Sequence, residues 1–241
     1  MGADPPAALA NQGRESVGSG AVSSSEDDLA AHSYDASPMA AKWRMQHLQP
    51  FRPDLIVRPT AVDQVSRLLA WASGHGVPVT PWGLGSAVTG SPLPMRGGIA
   101  LDMSSMRAVQ LLDETNLLVR VQAGKLGIEL ERELNGRGFT LGHSPQSLDR
   151  SSVGGWVATR ATGQFSSRYG GIEELVVALT AVLPTGEIVA PPTFPRMALR
   201  PELPRFLLGG AGQTADALPV ALRISPVPDC GPVWSLRCEP V

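Results

Sequence analysis

A regular alternation of apolar runs and one amphipathic stretch over residues 52–103 limits the possible folds more than any other feature. The runs "DLIV", "VPVT" and "GIALDM" have the length and the β-branched content of strands. Between the first two, residues 60–76 place apolar side chains at helical spacing, with Thr60 as the expected N-cap and Gly74 or Gly76 as the expected end. This order predicts a small βαβ unit with a parallel pair of strands.

The second half of the chain has the pattern of an antiparallel sheet. "AVQLLD" and "LLVRVQAG" flank the turn "DETN", and "EELVVALTAVLP" and "EIV" flank a turn at residues 184–186. Each pair predicts a hairpin. "KLGIELERELNGRG" predicts an amphipathic helix that ends at Gly136 or Gly138. The stretch "FLLGGAGQTADALPVALRISPVP" is expected to be a loop or short helix that leads into a last strand. The predicted fold class is α+β, with a small parallel βαβ unit and a larger, mainly antiparallel sheet with flanking helices.

The composition along the chain predicts where the domain begins and ends. Residues 1–37 contain few large apolar side chains, so we expect a poorly packed leader with one short helix near residues 25–31. Residues 38–228 form the expected domain, divided into subdomains at about 50–103 and about 104–228. Residues 229–241 are expected to be a tail.

Charge and composition exclude several functional classes. A net charge of −2 over 241 residues, without a basic run, argues against a nucleic-acid partner. The longest apolar run is too short to span a bilayer, and the first residues lack the pattern of a secretory signal. Cys230 and Cys238 are expected to be free thiols, and the histidines are too scattered to predict a metal site. We expect a cytoplasmic protein without a transmembrane segment.

Two loops rich in small residues carry the strongest functional signal. "PWGLGSAVTGS" follows a predicted strand at residues 81–91, and "SSVGGWVATRATGQFSSRYGG" spans residues 151–171. Small side chains let backbone amides and hydroxyls approach the oxygens of a diphosphate. A helix that starts near residues 153–158 would add about 0.3–1 kcal/mol. The alternative, that these glycines only form turns, remains open at this point.

Other candidate residues carry less weight. His143 lies in the loop "LGHSPQS", where an imidazole bonded to the backbone is favoured over a catalytic role. Glu173 and Glu174 come just before an apolar strand, which makes this pair more interesting than the turn pair Asp113 and Glu114. Because no pattern of a nucleophile with a base is present, we assign no catalytic residue.

Residues 50–190 resemble the FAD-binding domain, of the PCMH type, found in the vanillyl-alcohol oxidase flavoprotein superfamily. The stretch "RPDLIVRPTAVDQVSRLLAWASGHGVPVTPWGLGSAVTGS" matches the first half of that domain, and "GHSPQSLDRSSVGGWVATRATGQFSSRYGGIEELVVALTAVLPTGEIV" matches the second half. The similarity is greatest to the branch that contains alkyldihydroxyacetonephosphate synthase and the D-lactate dehydrogenase-type FAD-linked oxidases. The resemblance implies two α+β subdomains with non-covalent FAD between them, and oxidation of a hydroxy acid or a related alcohol.

The resemblance also implies which residues contact FAD. The diphosphate would be wrapped by the first loop, which comprises Pro81, Trp82, Gly83, Leu84, Gly85, Ser86, Ala87 and Val88. The isoalloxazine, ribityl and diphosphate side would be lined by Pro145, Ser151, Ser152, Gly154, Gly155, Thr159, Thr162 and Gly163. Glu173, Glu174 and Val176 would lie near the adenosine half.

The resemblance weakens after residue 190. Gly209, Gly210 and Gly212 match the family pattern, but Ala211 stands where a glutamate is usual. Relatives continue into a cap domain that holds the substrate, so a cap domain or a partner subunit is expected to complete the pocket. Two hypotheses remain: an FAD-dependent oxidoreductase domain, or a non-catalytic remnant or scaffold that binds FAD weakly or not at all. The substrate, the electron acceptor and the oligomeric state are left open.

Overall fold

The computed structural model describes residues 5–191, 207–210 and 216–228. The helices are α1 (Pro5–Val17), α2 (Glu26–Ala31), α3 (Pro38–Met45), α4 (Val62–His75), α5 (Gly127–Asn135), α6 (Val153–Thr159), α7 (Ser166–Tyr169) and α8 (Ile172–Leu175). The strands are β1 (Val22–Ser23), β2 (Leu55–Val57), β3 (Val79–Trp82), β4 (Ile99–Asp102), β5 (Val109–Asp113), β6 (Leu118–Val121), β7 (Phe139–Thr140), β8 (Val176–Val182), β9 (Ile188–Val189), β10 (Asp216–Arg223) and β11 (Ser225–Pro226). Ala211, Gly212, both cysteines and the predicted tail lie outside the described residues.

The first sheet confirms the predicted βαβ unit. Its strand order is β1-β2-β4-β3, and β4 pairs in parallel with both β2 and β3. Helix α4 connects β2 to β3 and ends, as predicted, at Gly76 in the left-handed conformation with φ of 65°. The predicted N-cap is wrong by one residue, because Ala61 precedes the helix. Gln64 Oε1 accepts hydrogen bonds from the amides of Thr60 and Ala61 at 2.7 and 3.2 Å, which fixes the chain just before the helix.

The second sheet has the order β5-β6-β10-β8-β9, and every pairing in it is antiparallel. Both predicted hairpins are present, as β5–β6 and β8–β9, and β10 is the predicted last strand, which inserts between them. The predicted helix is α5, which ends at Gly136. The α+β prediction is confirmed.

The two sheets bury separate apolar clusters. Strands β2 and β4 pack with α4 around Leu55, Leu68 and Leu101. Strands β6, β8 and β10 pack with α5 and α6, and Trp156 and Leu130 are fully buried there. Each sheet therefore has a core of its own. The loop after β3 follows a strand of the first core, and the loop before α6 leads into a helix of the second. None of the helices described here is both long and apolar enough to cross a bilayer.

The prediction of a poorly packed leader is wrong for residues 5–37. Leu9 and Val17 of α1 are buried in the first core, and β1 pairs with β2. Leu9, Gly13 and Val17 recur every four residues, so they share one face of the helix. A Cβ at Gly13 would lie 3.1 Å from Leu55, which shows how closely this face approaches β2. The prediction used the average composition of residues 1–37, which does not show this spacing. The predicted short helix is α2, which begins after the N-cap Ser25.

Candidate functional site: a cavity between two glycine-rich loops

The two loops singled out in the sequence line one cavity of about 460 Å³, a size typical of small-molecule sites. This brings together most of the predicted cofactor residues. Those that line it are Pro81, Trp82, Gly83, Leu84, Gly85, Ser86, Ala87, Val88, Ser151, Ser152, Gly154, Gly155 and Thr159.

The loops meet where β3 ends and α6 begins. A Cβ built on Gly83 would lie 2.6 Å from Ser152 Oγ, closer than a real side chain tolerates. Gly83 is therefore a glycine because the second loop passes directly against the first. This contact joins the parallel sheet to the antiparallel subdomain, and both of its residues line the cavity.

Most backbone amides of the first loop have no acceptor within the described part of the protein. Among the described residues, no acceptor receives a hydrogen bond from the amides of residues 83–89. Buried or half-buried amides are nearly always paired. A run of unpaired amides along a cavity wall is therefore suited to an anion with several oxygens, such as a diphosphate.

The second loop behaves differently from the prediction. The first amides of α6 already have protein acceptors: Val153 donates to Lys125 O at 3.0 Å, Gly154 to Ala123 O at 2.7 Å, and Gly155 to Ser152 Oγ at 3.3 Å. The predicted contribution of this helix start to anion binding is therefore wrong. The second loop provides shape, since Gly154 and Gly155 leave the wall without side chains.

Two hydroxyls of the second loop, those of Ser151 and Thr159, are also hydrogen-bonded within the protein. Ser151 Oγ donates to Ser147 O and accepts from Trp156 Nε1, both at 2.7 Å. Thr159 Oγ1 donates to Gly155 O at 2.8 Å. With its single proton used, neither hydroxyl can donate to a ligand in this conformation. Ser151 instead fixes the indole of Trp156 against the cavity.

Two predicted site glycines have conformational reasons to be glycine. Gly85 has φ of +66°, and a Cβ there would lie 2.6 Å from the indole of Trp82. A Cβ at Gly163 would collide with the backbone of Ser144 and Pro145. The backbone conformation at Gly85 and the neighbouring chain at Gly163 each require glycine, so a substitution would disturb the loop itself before it met a ligand.

Several predicted cofactor residues do not line the cavity. Glu174 Oε2 accepts from the amide of Gly171 at 3.1 Å, which caps α8. Glu173 Oε2 is buried without a hydrogen-bond partner among the described residues. The set outside the cavity comprises Pro145, Thr162, Gly163, Glu173, Glu174 and Val176. Their contacts to FAD stay predictions.

Sequence reasoning missed part of the apolar wall. Met103 follows β4, Ala123 follows β6, Trp156 and Val157 lie in α6, and Leu207 is distant in sequence. Trp156 stood inside the quoted motif, so its size was a usable signal. Nothing in the sequence marked Met103, Ala123 or Leu207, because they reach the cavity only through the packing of the two subdomains.

His143 is buried beside the cavity wall. Its ring lies 4.7 Å from that of Trp156 in an edge-on arrangement, and neither ring nitrogen has a hydrogen-bond partner among the described residues. The predicted bond to the backbone is therefore wrong. Burial disfavours the charged ring and lowers the pKa of His143 from 6.5 to about 4.

This burial predicts a pH dependence of stability. Between pH 6.5 and about 4 the unfolded chain binds a proton that native His143 does not, so the free energy of unfolding should fall as the pH drops. The loss should approach roughly 3 kcal/mol at the acid end of this window. Urea unfolding at pH 7 and pH 4.5 measures it. His143→Phe keeps a ring against Trp156. In this variant the difference in unfolding free energy between the two pH values should shrink by most of that amount. An unchanged difference would contradict the assignment of this pH dependence to His143.

A polar network lies beneath Trp82, behind the first loop. His32 contacts the indole of Trp82 at 4.8 Å between ring centroids, and its Nε2 lies 3.2 Å from Asp102 Oδ2. Arg58 donates to Asp102 at 2.9 Å and to Asp28 at 2.8 Å. The hydrogen bond from Arg58 lowers the pKa of Asp28 to about 2. This network ties α2 and the segment after it to β2 and β4.

The comparisons with known proteins agree with this geometry. A family model described as an FAD binding domain matches residues 53–190, more than half of the chain. The chain belongs to the FAD-binding domain family. FAD is therefore its cofactor, and the resemblance drawn from the sequence is confirmed.

Individual relatives place the chain within this family. Alkyldihydroxyacetonephosphate synthase of Caenorhabditis elegans is 37% identical over 184 residues, which cover 75% of this chain and 31% of that protein. The mitochondrial D-lactate dehydrogenase (cytochrome) of Arabidopsis thaliana is 32% identical over 179 residues, or 73% of this chain and 31% of that protein. A solved structure of an alkyldihydroxyacetonephosphate synthase superposes with a TM-score of 0.80 at 28% identity, over 88% of this chain and 39% of that chain. The chain thus spans less than half the length of these relatives.

The residues of this FAD-binding domain fit the cofactor. Unpaired amides at residues 83–89 suit the negative oxygens of FAD, and a wall without side chains at Gly154 and Gly155 lets a flat ligand approach. Trp82 and Trp156 provide apolar surface beside the polar loop. The cavity therefore combines unpaired amides with apolar surface, which suits a dinucleotide.

Proposed function

We propose that this chain is the FAD-binding unit of a flavin-dependent oxidoreductase that acts on a hydroxy acid or a related alcohol. The observation that carries the proposal is the run of unpaired amides at residues 83–89 along a cavity that α6 closes with glycine. Similarity to a D-lactate dehydrogenase supports the substrate class. When bound, FAD supplies a two-electron acceptor for oxidation of the alcohol.

In this proposal the chain's own residues bind and orient the cofactor. The amides of residues 83–89 would hold the diphosphate, and Trp82 and Trp156 would exclude water from the apolar side. Thr159 and Ser151 would keep α6 and the Trp156 indole in place. Binding of the hydroxy acid is assigned to a cap domain or a partner subunit outside this sequence, because the chain covers only 31% of its dehydrogenase relative.

FAD titration of the purified chain tests the proposal. We expect a yellow protein with a resolved flavin absorption band, and uptake of added FAD at micromolar concentration, about −8 kcal/mol of binding free energy. Acid precipitation should release all flavin into the supernatant, because the attachment is non-covalent. A colourless chain that takes up no added FAD would reject the proposal and favour the non-catalytic scaffold.

A further inference from the structure

Residues 32–36, which we call the brace, contact the first loop and do not line the cavity. The amide of Ala36 donates to Ala87 O at 2.8 Å. The carboxylate of Asp35 accepts from the amide of Gly90 at 2.8 Å. The brace thus contacts the carbonyl of Ala87 and the amide of Gly90. It leaves the amides of residues 83–89 unpaired.

Asp35 is the residue of the brace whose buried side chain is bonded directly to the loop. Its side chain is only 2% exposed, and its second oxygen accepts from the amide of Ser37 at 3.0 Å. A buried carboxylate is retained only where donors compensate its lost hydration. One oxygen of Asp35 accepts from the loop amide of Gly90 and the other from the amide of Ser37, so this side chain joins the chain before α3 to the loop at Gly90.

His32 supports the other end of the loop. Its Nδ1 lies 2.8 Å from Asp28 O and its Nε2 lies 3.2 Å from Asp102 Oδ2, so the ring is held on both sides. The ring packs against Trp82, whose indole in turn lies where a side chain at Gly85 would stand. The start and the end of the loop are therefore both fixed by one short segment that precedes it by about fifty residues.

We infer that the brace is a positioning element for the FAD diphosphate loop, and that Asp35 is its principal residue. The inference rests on the proposed function. A loop of glycine, serine and alanine samples many conformations, and ordering it upon binding weakens affinity. Contacts that order the loop beforehand remove that loss. Asp35 acts through the loop and does not itself touch the cofactor.

The test compares Asp35→Ala and Asp35→Asn with the wild-type chain. Two quantities are measured: the Kd for FAD, and hydrogen exchange of the amide of Ala36 without cofactor. The Ala36 amide donates to Ala87 O, so its exchange, which we call loop exchange, reports whether the loop stays in place. We expect Asp35→Ala to raise the Kd about tenfold or more, the effect of losing hydrogen bonds to a charged group. Loop exchange should accelerate by a similar factor. Asp35→Asn, which keeps one acceptor oxygen, should fall between the two.

Asp54→Ala is the matched control. Asp54 Oδ2 also accepts from a glycine amide, that of Gly98 at 2.6 Å, but neither residue lines the cavity. This variant should keep wild-type FAD affinity and wild-type exchange of the Ala36 amide, even where its melting temperature falls.

The outcomes separate the inference from the proposed function. If Asp35→Ala binds FAD as tightly as wild type, or if loop exchange is unchanged, the brace is only structural and the inference is overturned. If Asp35→Ala does not fold, Asp35→Asn decides by the same two measurements. If wild type itself takes up no FAD, the proposed function fails, while the exchange comparison still tests whether Asp35 orders the loop.

Discussion

Gly155→Val is expected to weaken FAD binding by up to about a hundredfold while the chain stays folded. Gly155 is helical, lines the cavity, and a Cβ there would meet only Ser152 Oγ, at 3.3 Å. The added side chain therefore extends into the space that the cofactor needs, and the fold has little to rearrange. Steric misfits of this kind remove about 1–3 kcal/mol, so we expect the Kd to rise by about five- to a hundredfold. Flavin absorbance in an FAD titration measures the loss.

Gly74→Val controls for the change of residue type. Gly74 lies in α4 on the exposed surface, and a Cβ there would meet nothing within 4 Å. Both variants replace a helical glycine by valine, so their melting temperatures should shift by similarly small amounts. FAD affinity should fall only in Gly155→Val. Equal affinity in both variants would mean that the cofactor does not use this wall of the cavity.

Gly124→Ala is expected to cause the largest loss of folding stability. A Cβ at this position would collide with the backbone carbonyl of Met103 and would lie 2.9 Å from Met106 O. Backbone cannot swing away as a side chain can, and the amide of Gly124 is held by Met106 O at 2.8 Å. We expect the free energy of unfolding to fall by about 3 kcal/mol. Urea unfolding followed by circular dichroism measures this change.

Gly136→Ala provides the comparison. Gly136 follows α5, has an ordinary right-handed conformation, and a Cβ there would approach Arg132 O no closer than 3.5 Å. This variant should stay within about 0.5 kcal/mol of wild type. A stability loss in Gly124→Ala no larger than that in Gly136→Ala would show that the turn after β6 can relax to admit a side chain.

The elements that were predicted correctly depend on local patterns. The β-branched runs became β2, β3 and β4, and the turns at residues 113–116 and 184–186 became hairpins, because strand and turn propensities act between near neighbours. The family resemblance was equally local, since it rested on contiguous motifs within residues 50–190. For the same reason the sequence identified the first loop but could not show that the second loop lies across the cavity from it.

The errors came from features that composition and spacing do not encode. The leader packs because Leu9 and Val17 reach a sheet formed later in the chain. His143 has no backbone partner because Trp156, from another element, covers it. The amides of Val153 and Gly154 at the helix start are not spare because the carbonyls of Lys125 and Ala123 reach them from the end of β6. Each of these contacts joins residues distant in sequence.

The sequence by itself determined that two loops of small residues follow strands, that they belong to an FAD-binding domain, and that an α+β scaffold carries them. Local propensities and contiguous motifs are sufficient for that. Only the tertiary structure decided which loop keeps its amides available and which glycines serve the backbone. Availability of a hydrogen-bond donor depends on what lies against it. At Gly83, Gly154 and Gly124 the neighbours are Ser152, Ala123 and Met103, which are distant in sequence and are brought there by packing.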